Sequence, residues 1–532
     1  MTKGVRTDIM IFLIWNKRKG MQVALRIYNT LSRRKEEFSP VAKGVVSIYL
    51  CGPTVYENSH LGHALGPVVF DTIKRYLEHK GYKVNFVINI TDVEDKIINR
   101  ARELGKSVEA LAQEVTANYL ECMEKLGVTS VNHYPKASQH IQEMIDHIQH
   151  LIELGVAYEL DGDVYFEVSK FADYGKLSGQ RLEEMASGAR VEVDQRKRHP
   201  ADFALWKAAK PGEPSWPSPW GKGRPGWHIE CSVMSMKYLG ETFDIHGGGR
   251  ELIFPHHENE IAQSEAATGK PFVRYWLHNG LMQLRGEKMS KSTGVLVPIS
   301  ELLERHRPET VRFFLLSSHY RSPIDFSEER LDEVRRALEG IHLLFGHIQR
   351  ITGKSLNELS EDFATPNQTT LSPSEKEFLK QIQATDNAFH LAMDDDFNTA
   401  GAIATLFALT ARTNKFIDSH RLAEPDKATE AQRELLLAAG AQIRRLGKIL
   451  GLLEYAIYEY DVQSGGFKLE GDAETRFIKA KLPEEEIKAL VEKRNEARRK
   501  GNYKEADRIR NDLASQGIIL EDTPSGTIWR MK

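Results

Sequence analysis

The sequence predicts an α/β protein in which a parallel-sheet domain is divided by an insert and followed by an all-α C-terminal region. The first observation is a strand, helix, strand order near the N-terminus: "VVSIYLCGPTV", "HLGHALGPVVFDTIKRYLEHKG" and "YKVNFVINIT". Two strands joined by a helix of this length pair in parallel. The second observation is that nearly every stretch after Ile299 has the period of an amphipathic helix.

The N-terminal part of the chain is predicted to contain both halves of the sheet domain. Residues 1–20 are interpreted as an extension or a misassigned start, and their apolar run "IMIFLIW" is too short to span a membrane. We expect the first half of the domain at 21–140. The second half is expected at 223–300, where "TFDIHGGG" and "YWLHNGLMQL" resume the pattern. The insert at 141–222 carries "GDVYFEVSKF", which is typical of an antiparallel strand.

The region after residue 300 is predicted to form three helical segments, at 301–372, 373–465 and 466–532. The polar stretches "SLNELSEDFATPNQTTLSPSEKE" and "DVQSGGFKLEGD" separate them. The last segment includes "KRNEARRKGNYKEADRIR", which has eight basic residues among interspersed acids. This stretch is either a local nucleic-acid surface or an ordinary solvated helix face.

Composition limits the possible classes of protein. The chain has 532 residues, of which 28% are charged and 41% hydrophobic, so several units rather than one core are expected. The formal net charge is −3, so any nucleic-acid surface must be a local patch. Cys51, Cys122 and Cys231 are too few for a disulfide framework. A reducing, cytoplasmic location follows as an expectation.

The stretch "LIFPHHENEI" at Leu252–Ile261 predicts half of a metal site. Pro255 suits the first turn of a helix, because its missing N–H is not needed there. A helix that starts at Pro255 would place His256 and Glu260 one above the other on one face. An imidazole and a carboxylate on adjacent turns can both bind a metal. On this stretch alone, an acidic helix start with packed histidines is the alternative.

Two further motifs indicate a phosphate-binding site. "HLGH" places His60 and His63 where the first strand leads into its helix, and helix N-termini attract phosphate. "EKMSKS" places Lys288 and Lys291 in a short polar loop that could hold a triphosphate from the opposite side. Each motif alone is weak. In this order, however, the pair resembles the two ATP-binding motifs of the class I aminoacyl-tRNA synthetases.

Within that class, several stretches resemble the cysteinyl-tRNA synthetase family. They are "CGPTVY", "GWHIECS", "HGGGRELIFPHHENE", "RPETVRFFLLSSHYRSPIDFS" and "MDDDFNTA", and the similarity extends from Met21 to "DTPSGTIWR". The resemblance implies a Rossmann-like catalytic domain, a stem-contacting region at 301–372, a helical bundle at 373–465 and an anticodon-binding domain at 466–532. It also implies activation of L-cysteine by ATP with Mg²⁺, followed by transfer of cysteine to tRNA(Cys), by a monomer that needs no membrane.

The resemblance also assigns site residues. His60, His63, Lys288 and Lys291 would be catalytic. His257, one residue after His256, is expected to face elsewhere and to serve the pocket wall or support the ligands. Glu251 stands where the family pattern has aspartate, and Trp227 either lines the cysteine pocket or anchors a loop. The implied ligand sets are Cys51, Cys231, His256 and Glu260 for zinc; Gly52, Thr54 and Trp227 for cysteine; and His60, His63, Gly247, Gly248, Gly249, Glu251, Lys288 and Lys291 for ATP.

A zinc site of this kind would sort substrates by chemistry. Zinc binds a thiolate strongly, whereas the serine hydroxyl stays protonated, so no editing domain is expected. Two alternatives remain open. One is a ligase that joins cysteine to an amino sugar and shares this core, but the long tail from Met393 to Lys532 argues against it. The other is a non-catalytic zinc-stabilised RNA-binding protein, which would not need "HLGH" and "KMSKS".

Overall fold

A computed structural model describes residues 24–181, 196–284, 286–288, 296–357, 369, 371–422, 427–454, 458–461, 466–469, 484–516, 518–523 and 526–531. No helix within these ranges is both long and apolar enough to cross a membrane. The strands are β1 (Arg26–Asn29), β2 (Arg34–Glu37), β3 (Val45–Leu50), β4 (Lys83–Ile88), β5 (Ala157–Leu160), β6 (Asp163–Phe166), β7 (Phe203–Ala208), β8 (Gly223–Pro225), β9 (Phe243–Gly249), β10 (Val273–Asn279), β11 (Met282–Leu284), β12 (Glu287–Lys288), β13 (Ile324–Phe326), β14 (Tyr458–Asp461), β15 (Gly466–Leu469), β16 (Ile518–Thr523) and β17 (Gly526–Met531).

The α-helices connect and cover these strands. They are α1 (Leu61–His79), α2 (Asp95–Leu104), α3 (Val108–Lys125), α4 (Ile141–Glu153), α5 (Trp227–Leu239), α6 (Glu258–Thr268), α7 (Ile299–Arg305), α8 (Pro308–Leu316), α9 (Glu328–Thr352), α10 (Pro373–Asp394), α11 (Thr399–Ser419), α12 (Glu430–Ile449), α13 (Glu484–Arg499) and α14 (Tyr503–Ser515).

The central sheet confirms the predicted parallel-sheet domain. Its four parallel strands have the order β10-β9-β3-β4. On β3, Val46, Ile48 and Leu50 belong to one buried cluster together with residues of α1, whereas Tyr49 belongs to a second cluster with residues of α5. Because successive residues of a strand point to opposite faces, the sheet separates two cores. The carboxyl ends of all four strands therefore meet at one edge, where ligands of open α/β sheets bind.

The insert between the two halves contains an antiparallel sheet with the order β5-β6-β7-β8. The strand predicted within "GDVYFEVSKF" is β6. Phe166 on β6 and Trp206 on β7 are fully buried, and they share a cluster with Tyr49 of the central sheet. The insert is thus packed onto one face of the central sheet and shares its core.

The C-terminal region is helical from α9 onward, but it is not all-α, and that part of the prediction was wrong. The strands β14, β15, β17 and β16 form a four-stranded sheet in that order. Each strand has only four to six residues, which is too short for an alternating pattern to outweigh the helical stretches around it. Leu513 of α14 shares a buried cluster with Ile518 and Trp529 of this sheet. The sheet therefore provides the apolar cover for the terminal helices.

A run of three aspartates at the end of α10, which we call the acidic clamp (Asp394–Asp396), fastens the helical region to the sheet domain. The Asp394 carboxylate accepts hydrogen bonds from the Tyr76 hydroxyl (2.8 Å) and the Lys80 ammonium (2.7 Å) near the end of α1. The Asp395 carboxylate accepts from Lys35 (2.6 Å) of the N-terminal hairpin, which β1 and β2 form. The Asp396 carboxylate accepts from the backbone N–H of Tyr28 (2.8 Å) in the same hairpin. It also accepts from the Tyr320 hydroxyl (3.0 Å) and from Arg321 (2.7 Å) in the segment after α8.

A buried arginine makes the second connection between these regions. Arg312 on α8 is 1% exposed and donates to the Asp71 carboxylate on α1 (2.5 Å) and to the carbonyls of Leu126 and Leu450. Burial raises the pKa of Asp71, but Arg312 and Arg75 together lower it below its usual value. The Arg312 guanidinium and the Asp71 carboxylate therefore compensate each other, and removing one would leave the other charge buried without its main partner.

We expect the Arg312→Met substitution to lower the free energy of unfolding by about 3 kcal/mol, because it removes a main partner of the buried Asp71 carboxylate. Urea unfolding followed by circular dichroism measures the loss. The matched control is Arg305→Met, which removes an exposed pair with Glu328 (2.7 Å) and should cost less than about 1 kcal/mol. Equal losses in the two variants would contradict a special role for Arg312.

Candidate active site

The four predicted metal ligands lie together at the carboxyl edge of the sheet. Cys51 directly follows β3, Cys231 lies in α5, and His256 and Glu260 come from the segment that enters α6. One ligand atom from each lies within 4.8 Å of those of the others. The Cys51 and Cys231 sulfurs are 3.7 Å apart, and His256 Nε2 is 2.9 Å from Glu260 Oε1. Two sulfurs, one nitrogen and one oxygen are a donor set that suits zinc.

The entry into α6 agrees with the prediction. Phe254 is extended (φ −137°, ψ 133°), and it is the one residue of Ile253–His257 with non-helical backbone angles, so the chain is helical from Pro255 onward. His256 and Glu260 therefore meet one turn apart. His257 Nε2 lies 3.3 Å from the Cys51 sulfur. His257 thus contacts the cluster instead of facing elsewhere, and this position agrees with the expected role in the pocket wall or in support of the ligands.

Three histidines around the cluster were not recognised from the sequence as its neighbours. His246 Nε2 is 2.8 Å from Glu260 Oε2, so the two oxygens of this carboxylate have different imidazole partners. The His228 and His256 Nδ1 atoms are 2.9 Å apart, and His278 Nε2 is 2.8 Å from His257 Nδ1. The glycines after His246 had pointed to a role with ATP instead. A second set, Cys51, His246, His257 and Glu260, converges equally closely.

The charges of the cluster are set by burial and by these contacts. Burial disfavours the Glu260 carboxylate, but His246 and His256 lower its pKa to about 2. Burial likewise opposes a charged His256, yet Glu260 raises its pKa to about 10. Hydrogen bonding with Cys51 lowers the pKa of Cys231 to about 6 despite burial, and burial together with the Cys231 contact raises the pKa of Cys51. The chain alone thus favours one thiolate and one carboxylate here.

The "HLGH" histidines cap the N-terminus of α1. His60 Nδ1 accepts from the Gly62 N–H (3.1 Å), and His63 Nδ1 accepts from the His60 N–H (3.4 Å). Burial lowers the pKa of both, that of His63 to about 3, so both rings are neutral near pH 7. A neutral ring whose Nδ1 accepts carries its proton on Nε2. Both Nε2–H groups are therefore available as donors beside the positive end of the helix.

The side chain of Lys288 and the whole of Lys291 lie outside the described residues. The backbone of Lys288 is in β12, opposite Gln283 of β11, in the segment that follows β10. Their contact with ATP stays a prediction.

The predicted nucleotide-binding glycines have packing roles that the sequence did not reveal. A Cβ atom on Gly247 would lie 2.1 Å from the Phe70 ring of α1, and one on Gly248 would lie 2.7 Å from the His257 ring. A Cβ on Gly249 would lie 2.5 Å from the Glu251 carboxylate. Glycine is thus required at 247 and 248 because other side chains fill the space. Contacts of these glycines and of Glu251 with ATP stay predictions.

The predicted cysteine-binding residues surround the same cluster. A Cβ on Gly52 would lie 1.6 Å from the Asn89 carbonyl oxygen, so only glycine fits between the ends of β3 and β4. Thr54 forms a backbone bridge with Thr91. The Trp227 ring stacks on the His256 ring, with centroids 4.2 Å apart. Trp227 therefore adjoins the cluster of predicted metal ligands, which favours the pocket interpretation over that of a loop anchor.

The parallel sheet, the "HLGH" cap on the helix after β3 and the "KMSKS" segment after β10 define a class I aminoacyl-tRNA synthetase. The family model described as the class I (C) tRNA synthetase catalytic domain matches residues 37–336. A DALR domain matches 388–454, and the cysteinyl-tRNA ligase anticodon binding domain matches 481–530. The chain belongs to the cysteinyl-tRNA ligase family.

Individual relatives agree with this family. Cysteine--tRNA ligase of Geobacter metallireducens is 49% identical over 96% of this chain and 100% of its own length. The ligase of Thermococcus onnurineus is 47% identical over 96% of this chain and 99% of its own length. Mycobacterium tuberculosis methionyl-tRNA synthetase in complex with methionyl-adenylate has a similar fold, with a TM-score of 0.59 and 16% identity over 76% of this chain and 90% of that structure.

Proposed function

We propose that this chain is a cysteine--tRNA ligase that activates L-cysteine with ATP and transfers it to the 3′ end of tRNA(Cys). The observation that carries the proposal is the convergence of Cys51, Cys231, His256 and Glu260 beside the Trp227 ring. The match to an anticodon-binding domain at 481–530 argues against the amino-sugar ligase, which lacks such a tail. The match to a catalytic domain argues against a protein that only binds RNA.

Cys51, Cys231, His256 and Glu260 would hold a Zn²⁺ ion at the floor of the cysteine pocket. When bound, zinc favours the thiolate of cysteine over the hydroxyl of serine. The chain prepares this site through His246, which fixes the second oxygen of Glu260, and through Trp227, which covers the His256 ring. Gly52 and Thr54, which lie at the ends of β3 and β4, would border the amino acid.

The neutral His60 and His63 would donate hydrogen bonds from Nε2 to ATP phosphate oxygens at the start of α1 as charge shifts during adenylate formation. Lys288 and Lys291 would bind the phosphates from the segment after β10, with Mg²⁺ bound to ATP. Gly249 and Glu251, at the end of β9, would border the nucleoside. Together these groups place the α-phosphate next to the cysteine carboxylate, which is the geometry that the reaction needs.

The remaining assignments concern partners and location. We propose that the helical region after residue 300 holds tRNA, that 466–532 contacts the anticodon, and that the protein is a monomer. The basic residues of α13 and α14 would contact an unpaired loop. The cysteines are unpaired, which supports a reducing, cytoplasmic location.

Discrimination between cysteine and serine tests the proposal. We expect cysteine to support ATP–pyrophosphate exchange about 10⁴-fold more efficiently than serine, because a hydroxyl cannot replace the thiolate. We also expect no accelerated hydrolysis of Ser-tRNA(Cys), since sorting occurs before the transfer step. Both are measured on the purified protein with radiolabelled pyrophosphate and preformed Ser-tRNA(Cys). Comparable exchange with serine, or rapid deacylation, would overturn the assigned basis of specificity.

A further inference from the structure

A positively charged cavity lies beside the cysteine site but shares none of the residues assigned to ATP or zinc. Its volume is about 370 Å³, which is within the range of small-ligand pockets. It lies where the N-terminal hairpin, the insert, the loop after β9 and the segment after α8 meet. Its lining residues are Tyr28, Thr30, Arg33, Leu177, Ser178, Arg250, Ile253, His278 and Arg321.

Two of the three arginines in this cavity have no acidic partner among the described residues. No described carboxylate lies within ion-pair distance of the Arg33 or Arg250 guanidinium group, and both residues are exposed at the mouth. Arg33 extends over the insert, where a Cβ on Gly179 would lie 2.0 Å from its Nη2 atom. Two guanidinium groups on separate segments form a site for an anionic group between them.

The inner part of the cavity offers an aromatic surface and polar groups. The Arg321 guanidinium lies 4.4 Å from the centre of the Tyr28 ring and is held by Asp396 at 2.7 Å. Such a stacked pair is a surface on which a nucleobase can lie. Thr30 Oγ1 is 2.8 Å from His278 Nδ1, and the Ser178 N–H is fixed by Glu258 at 2.7 Å. Hydroxyl groups of Thr30 and Ser178 therefore lie beside the apolar Leu177 and Ile253.

The cavity is close to the metal cluster. His278 lines it, is hydrogen-bonded to His257 at 2.8 Å, and His257 in turn reaches Cys51 at 3.3 Å. Only two side chains thus separate its inner wall from the cysteine site. The "HLGH" histidines, the glycines of β9 and Glu251 are absent from its lining. The cavity is consequently a separate subsite and not the phosphate end of the ATP site.

We propose that this cavity binds one nucleotide of the single-stranded acceptor end of tRNA, with the base against Tyr28 and Arg321 and a phosphodiester between Arg33 and Arg250. The inference rests on the proposed function, because that reaction must bring an RNA end to the cysteine carboxylate. An RNA strand fits better than a free nucleotide, because Arg33 and Arg250 are at the exposed mouth of the cavity. A phosphodiester bound between them would lie where the strand leaves the cavity.

The test uses the full-length Arg250→Ala and Arg33→Ala variants with Arg34→Ala as the matched control. Arg34 lies on the same hairpin, but its side chain is 78% exposed and 3.6 Å from Glu36. We expect the KM for tRNA(Cys) in charging to rise about 10- to 100-fold in the two test variants, because each loses a charged contact. The control should match the unaltered protein. An unchanged KM in both test variants would overturn the assignment.

A binding measurement separates the cavity from general electrostatics. The probe is an RNA hairpin that reproduces the acceptor stem and its unpaired end, compared with the same hairpin lacking the terminal nucleotides. We expect Arg250→Ala to weaken the complete probe but to change the shortened probe little, and to reduce the salt slope by about 0.7. Equal weakening of both probes would contradict a specific subsite.

Two further outcomes identify other occupants or a failure of the proposed function. A raised KM for ATP in pyrophosphate exchange, or competition by AMP for the complete probe, would assign the cavity to a free nucleotide and overturn the proposal. If the unaltered protein shows no cysteine-dependent exchange, the proposed function itself fails. If the unaltered protein shows exchange and charging, and the Arg33→Ala and Arg250→Ala variants behave like the Arg34→Ala control, the proposed function stands and the subsite alone is wrong.

Discussion

The Cys231→Ser variant is expected to lose bound zinc and cysteine binding, and with them pyrophosphate exchange by roughly 10³-fold or more. The Cys231 sulfur lies 3.7 Å from that of Cys51, and hydrogen bonding within the cluster lowers the pKa of Cys231 to about 6 despite burial. Serine cannot supply this thiolate. Elemental analysis measures the metal, calorimetry measures cysteine binding, and circular dichroism checks that the variant is folded.

The control for this variant is Cys122→Ser. Cys122 is also buried, at 4% exposure, but it belongs to the core around α3 and not to the cluster. It should keep its zinc and its exchange activity. The Cys231→Ser result also distinguishes the two possible ligand sets, because the set of Cys51, His246, His257 and Glu260 omits Cys231. A folded Cys231→Ser protein with full zinc content would assign the metal to that second set.

Deletion of residues 455–532 should leave pyrophosphate exchange nearly unchanged while charging of tRNA falls on the order of 10²-fold, because phosphate contacts are lost. The apolar residues of α13, α14 and the terminal sheet form a cluster separate from the other two cores. Removing them therefore leaves the catalytic sheet covered. The remaining tRNA affinity should also depend less steeply on salt. A truncated protein that charges tRNA at full efficiency would show that recognition lies elsewhere.

The effect of a truncation on pyrophosphate exchange depends on where the chain is cut. A cut before Met393 would also remove the acidic clamp, whose Asp396 is fully buried against Tyr320 and Arg321. The buried Tyr320 hydroxyl would then lose its acceptor and Arg321 its ion-pair partner, and the hairpin would lose its bonds from Tyr28 and Lys35 to the clamp. We expect that shorter protein to lose exchange as well as charging. The two truncations together separate recognition of tRNA from support of the catalytic unit.

The convergence of Cys51, Cys231, His256 and Glu260 could be predicted from the sequence, because their residue types restrict the chemistry and the family resemblance joined positions far apart in the chain. The roles of His246 and His257 could not. His246 precedes three glycines that resembled a nucleotide-binding turn, and nothing in the sequence shows that Phe70 and His257 fill the space above two of them. The contact of His257 with Cys51 depends on the backbone direction after the extended residue Phe254, which nothing in the sequence reveals.

The central parallel sheet could likewise be predicted from the sequence, whereas the terminal sheet could not. β3 and β4 are six-residue apolar strands linked by a long helix, and this order determines parallel pairing. The terminal strands are short, and β15 pairs with β17 across many intervening residues. Local periodicity carries no information about such a contact.

The acidic clamp also links the helical region to one end of α1. Asp394 is hydrogen-bonded to Tyr76 near the C-terminal end of this helix, whereas His60 and His63 are at its N-terminal end. Asp396 is hydrogen-bonded to the Tyr28 N–H and to Arg321. We therefore expect a tilt of the helical bundle to shift α1, and with it His60 and His63 at the other end of that helix. Because coupling between sites is reciprocal, any tightening of substrate binding by tRNA must be matched by tighter tRNA binding to the substrate-loaded protein.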